Sequence, residues 1–192
     1  AHLALARASC LPIDYPWHFR PEPDRLTGSM ARFLIIFLVV LALLFTLEML
    51  EPVQQHVVQP FTAALADISA ALIMPFDDQV TTSGRVIRHT GNYFAVSIEA
   101  GCNGVEAAIV LIAAVIAFPA RWLQKLAAIG IGFFAIQVMN ILRIISLFYL
   151  GMWNMEVFSW THLYLWPVLI MLDVLVVFLF YLRVVNRQAV AA

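Results

Sequence analysis

The stretch LAAIGIGFFAIQVMNILRIISLFYL, residues 126–150, decides the fold. As a helix rising about 1.5 Å per residue it is longer than the ~30 Å hydrocarbon core of a bilayer, which about 20 apolar residues span. Arg143 is its only formal charge. Working outward, Leu163–Leu182 is a second such stretch, interrupted only by Asp173, and Phe33–Leu47 is a third that extends through Met49 and Leu50. Val105–Phe118 is shorter and needs the polar turn that begins at Cys102 to complete a crossing. The expectation is an all-α integral membrane protein with four transmembrane helices.

Composition agrees. The chain has 192 residues, 63% hydrophobic and 12% charged, with mean hydropathy +0.91. Soluble domains hold about 45–50% apolar and about 25% charged residues. A net charge of −1 offers no basic footprint for nucleic acid. Two cysteines, Cys10 and Cys102, make no disulfide framework, and no Gly-rich nucleotide loop is present. His2, His18, His56, His89 and His162 show no metal-ligand spacing, so neither metal nor cofactor is expected.

Basic residues set the orientation. Arg32 precedes the first span, Arg121 and Lys125 fill the link between the second and third, and Arg183 and Arg187 follow the fourth. The connecting stretch 151–162 holds no Lys or Arg. Both termini are then cytoplasmic, and residues 52–101 face outward. Only Arg85 and Arg88 dissent, in a longer loop where the rule weakens. Within the outer segment, Val57–Met74 has apolar residues at helical spacing and ends at Pro75, which predicts a helix on or dipping into the membrane surface. Val80–Ile98 reads as a short hairpin turning at Gly91-Asn92. The chain divides into 1–29, a Pro-containing leader or linker read as non-native with Met30 the natural start; 30–51, the first span; 52–101, the outer helix and hairpin; 102–187, a three-helix membrane core; and 188–192, a cytoplasmic tail.

Three residues could carry chemistry. Cys102 sits in Gly101-Cys102-Asn103-Gly104-Val105-Glu106, where flanking glycines permit a tight turn and close substrate approach. A helix starting here would favour thiolate through its free N–H groups and dipole. The plainer reading is a small buried residue. Arg143 lies inside a span, where a charge costs about 2.5–3.5 kcal/mol on insertion scales and needs a partner or a purpose. An ion pair with Glu106 or Asp173 would be the structural explanation; Asn140 is one turn earlier on the same face. His162 stands at the outer entry to the last span and is either an interfacial polar residue or a base. The expected topology puts all three at one membrane face, and a nucleophile, a cation and a base there suit acyl transfer. Trp153, Trp160, Tyr164 and Trp166 read first as an interfacial belt.

Glu99-Ala-Gly-Cys102-Asn-Gly-Val-Glu106, Phe118-Pro119 with Arg121, Asn140-Ile-Leu-Arg143 and then His162 ahead of the last span resemble the exosortase/archaeosortase family. The resemblance covers residues 30–187; the opening MARFLIIFLVVLALLFTLEMLEPVQ is most similar to the exosortase H subgroup. It implies a cysteine transpeptidase of the bacterial inner membrane, with its site facing the periplasm. Cys102 would be the nucleophile, Arg143 the oxyanion or substrate cation, His162 the general acid/base, and Asn103, Glu106 and Asn140 would support them. Its partners would be membrane lipid, a surface acceptor and secreted proteins ending in a short motif (IPTL-type for exosortase H), a membrane helix and a basic cluster. Two other readings stand beside it: a non-catalytic membrane scaffold, and an acyltransferase acting on lipid with the same three residues.

Overall fold

The computed structural model describes residues 23–190. In chain order it consists of α1 (Pro23–Glu48), α2 (Glu51–Val53), a π-helical turn (Gln54–Val58), α3 (Gln59–Ile73), β1 (Val80–Ser83), β2 (Val86–His89) and β3 (Ala95–Ser97). It continues through α4 (Val105–Ala117), α5 (Trp122–Trp153), α6 (Met155–Trp160), a second π turn (Thr161–Leu165) and α7 (Trp166–Val190). Most of the leader assignment, and Cys10 with it, lies outside the described residues. From Pro23 onward, however, that segment is already part of α1.

Among the described residues four helices are long and apolar enough to cross a membrane: Ser29–Glu48, Glu51–Ile73, Trp122–Trp153 and Met155–Arg187. The number matches the expectation but the membership differs, since Val105–Ala117 is a shorter apolar helix and Glu51–Ile73 qualifies. Direction explains how both can hold. Helix α1 packs antiparallel to α4: Met30 and Phe33 lie beside Phe118, and Glu48 faces Glu106. Helix α4 is in turn antiparallel to α5 across the short link closed by Pro119, with Gly104 against Gln137 and Leu111 against Gly132. The Phe61 and Phe133 rings lie 5.9 Å apart at a tilt, while Ile73 joins the cluster of Phe148, so α3 also runs in the direction of α5. α1 and α3 therefore run the same way. Helix α3 continues beyond the end of α1 instead of returning through the bundle.

Two apolar clusters result. One joins Leu111, Ile136, Ile170 and Val174 where α4, α5 and α7 meet. The other lies towards the C-terminal end of α5 and joins Leu65, Ala70 and Ile73 of α3 to Ile144 and Phe148 of α5. Val80, Ile87 and Ile98 cover it from the strand segment. Alternation along β2 turns Ile87 inward and leaves Arg88 exposed. By contrast the outer faces of the helices are apolar and uncovered: Leu38, Val39, Phe134, Leu172 and Val176 are all exposed. Apolar surface turned outward along helices this long is the pattern for a lipid solvent.

The hairpin is a three-stranded antiparallel sheet in the order β1-β2-β3. Its first turn is at Gly84, which holds φ +57, and Gly91-Asn92 forms the second, between β2 and β3. The connecting stretch 151–162 is helical: Asn154 breaks α5, and its side chain then accepts the N–H groups of Glu156 and Val157 to cap α6. Within the aromatic belt, Trp153, Trp160 and Tyr164 are exposed but Trp166 is turned inward.

Candidate active site

Cys102 lies in the loop between β3 and α4, held by two left-handed glycines. Gly101 has φ +82 and Gly104 φ +77, conformations that a side chain would strain. The amide of Cys102 donates to Glu99 O at 3.0 Å, and that of Gly101 donates to the Glu106 carboxylate. Asn103 is fully buried and pins the loop from both sides. Its Oδ1 accepts the Val105 N–H at 3.1 Å, and its Nδ2 donates to Thr62 Oγ1 on α3 at 3.1 Å. The loop is thereby fixed to the start of α4 and to α3 together.

The other two residues reach the same thiol from different helices. Arg143, 6% exposed on α5, directs Nη2 at Cys102 Sγ (3.4 Å) and Nη1 at Gly101 O (3.2 Å). His162 places Nε2 4.0 Å from Sγ, and its ring stacks on Phe158 with centroids 5.7 Å apart and planes at 5°. The π turn Thr161–Leu165 carries this histidine, a widened turn of the kind that often marks functional positions. Together the three side chains face a cavity of about 140 Å³ with apolar walls at Ile144, Leu147 and Phe158.

Two expectations are corrected. Arg143 forms no ion pair with Glu106 or Asp173 among the described residues; its partners are the thiol and a carbonyl. The surroundings of the Cys102 thiol disfavour thiolate on balance. Burial pushes its pKa up, and the nearby Glu106 and Glu99 add to this, while the Arg143 guanidinium pulls the other way without prevailing. A backbone hydrogen bond at Glu99 also favours thiolate, and burial outweighs it together with the cation. A neutral thiol beside an imidazole is suited to attack coupled to proton transfer.

A family model described as transmembrane exosortase matches residues 26–182. The chain belongs to the transmembrane exosortase family. No curated protein matches it, and no solved structure does. The match runs from within α1 into α7 and takes in Cys102, Arg143 and His162.

Of the supporting residues read from this exosortase sequence, Asn103 and Glu106 shape the cysteine loop. Asn140 does not touch the thiol: it is wholly buried one turn below Arg143, with both amide atoms unpartnered. Thr62 and Phe158 are not among the residues the sequence singles out, and Glu99 enters there only as the first residue of the cysteine motif. Phe158 stands four residues before His162, on the same helical face, which is a spacing visible in the sequence. Thr62 lies 41 residues from the asparagine it holds, and no local pattern connects them.

Proposed function

We propose that this exosortase is a membrane cysteine transpeptidase that cleaves the C-terminal sorting signal of secreted proteins and transfers the product to a surface acceptor. The observation that carries the reading is the convergence on Cys102 Sγ of His162 Nε2 at 4.0 Å and Arg143 Nη2 at 3.4 Å. His162 takes the thiol proton as sulfur attacks the scissile carbonyl. The carbonyl oxygen gains the negative charge, and Arg143 stabilises it from a site where water is scarce and such stabilisation is largest. The imidazolium then protonates the departing amine, leaving a thioester on Cys102. An acceptor nucleophile gives its proton to His162, attacks the thioester and releases the thiolate.

The basic residues support the orientation. Arg121 and Lys125 lie at the end of the bundle opposite Cys102, and Lys125 closes α4 by donating Nζ to Ile116 O at 2.7 Å. With that end cytoplasmic, the cysteine faces the periplasm across the inner membrane. A scaffold reading loses its main support, because Arg143 has no acidic partner among the described residues.

The test is co-expression with a secreted reporter ending in a short motif, a membrane helix and a basic cluster. The reporter should lose its tail beside the native enzyme and keep it beside Cys102→Ala, with the variant accumulating normally. Equal processing by the variant overturns the reading. Mass spectrometry finding a lipid acyl group on Cys102 would convert it to a lipid acyltransferase.

A further inference from the structure

One edge of the sheet is left open beside the thiol. Among the described residues β3 pairs with β2 only, in the register Val86↔Ser97, Ile87↔Val96 and Arg88↔Ala95. The His89 N–H donates to Phe94 O at 2.8 Å and the Ile98 N–H to Arg85 O at 3.0 Å. Phe94, Val96 and Ile98 therefore direct their backbone groups at β2. By the alternation of an antiparallel ladder, Ala95 and Ser97 turn theirs to the opposite, unpaired side. Natural sheets protect such an edge with Lys, Pro, a bulge or a covering element, yet Ala95-Val96-Ser97 has no Lys or Pro, and both Ala95 and Ser97 are exposed. The strand leads directly into Glu99–Cys102, and Ser97 and Glu99 line the same cavity as Cys102 and His162.

We propose that this edge is the docking strand for the polypeptide substrate: an extended segment next to the scissile bond adds beside β3 and is carried by it to Cys102. The inference rests on the reading of Cys102 as nucleophile and names how its substrate is held. The chemistry of the edge selects the occupant, because alternating free N–H and C=O groups are satisfied by another extended backbone. An apolar side chain of that segment enters the cavity over Ile144 and Leu147.

Direction follows from the fold. Phe94 lies 5.9 Å from Phe148, whereas Cys102 meets Arg143 more than one turn further back along α5, so the chain descends from β3 towards the bundle. A substrate entering the membrane by its C-terminal helix descends the same way, which makes the added strand parallel to β3. In parallel pairing the substrate residue opposite Val96 donates its N–H to Ala95 O and accepts the Ser97 N–H.

The experiment uses the full chain in membranes and a chloromethyl ketone of acetyl-tetravaline, which alkylates Cys102, together with analogues N-methylated at each amide in turn. Removing one backbone donor should slow labelling about tenfold at alternate positions and leave the intervening ones within about twofold. Ser97→Pro, which deletes an edge donor that β2 does not use, should lower the rate of peptide labelling relative to iodoacetamide labelling of the same variant by about as much. A uniform response along the N-methyl series overturns the docking strand, as does a lauroyl chloromethyl ketone that outpaces the peptide. If Ser97→Pro fails to accumulate, the N-methyl series on the native chain decides alone. Cys102 inert to iodoacetamide as well would instead remove the nucleophile reading beneath it.

Discussion

Cys102 Sγ and His162 Nε2 stand 4.0 Å apart although sixty residues and two turns of the chain separate them. The cysteine comes from a loop pinned by buried Asn103, and the histidine from a π turn stacked on Phe158. A distance slightly long for a hydrogen bond to sulfur is what a resting base and thiol would keep before substrate draws them together.

The raised pKa of Cys102 sets its reactivity with pH. A thiol pushed above its ordinary value is neutral at pH 7, so alkylation by a charged, membrane-impermeant reagent should climb with pH beyond the free-cysteine midpoint of about 8.5. Arg143→Ala removes the opposing cation and should move the midpoint higher still. Glu106→Gln removes a nearby negative charge and should move it lower. A native midpoint well below 8.5 would contradict the burial argument.

His162→Ala should reduce turnover of a processed reporter by about 10²–10⁴-fold, the usual worth of a positioned general base. Phe158→Ala should cost less, because it frees the ring without removing the base, whereas Phe158→Tyr should retain activity. Near-native turnover in His162→Ala would exclude the base.

Arg143→Lys should fail to restore activity. Arg143 spans Gly101 O and Cys102 Sγ with two nitrogens of one planar group, and an ammonium offers a single point. The expected loss is about 10²–10³-fold in kcat, typical of removing a preorganised oxyanion donor. Equal kcat for Arg143 and Lys at this position would assign it a purely electrostatic or structural part.

Asn103→Ala should destabilise the loop by about 1–3 kcal/mol, since it removes a cap on α4 and leaves Thr62 without its donor. Thr62→Val should cost less. The double variant should be non-additive, because the shared hydrogen bond is lost only once. Thermal unfolding in detergent measures all three; full additivity would mean the two side chains act independently.

How much of this was legible in the sequence follows from what each feature depends on. The membrane class, the long helices α1, α5 and α7 and the anomaly of Arg143 are properties of runs of neighbouring residues. A 20-residue apolar run has few alternatives to a spanning helix, and a charge within it is conspicuous wherever the helix packs. The other two members of the candidate trio, Cys102 and His162, stand out as polar residues at the ends of apolar runs. The supports of the trio were less legible: Thr62 and the open edge of β3 have no local signature, because their partners are set by pairing between distant segments.

The sequence by itself determined that this is a helical membrane protein and which three side chains could carry its chemistry, because helix length, hydropathy and charge are local quantities. Only the tertiary structure decided that Arg143 meets a thiol and not a carboxylate, that α3 runs with α1 and not against it, and that burial pushes the Cys102 thiol up. Each of those depends on which groups arrive first at a shared space. Burial, the Arg143 cation and the Glu106 and Glu99 carboxylates act on the sulfur from positions that packing alone sets, and no count of residues along the chain shows which of them prevails.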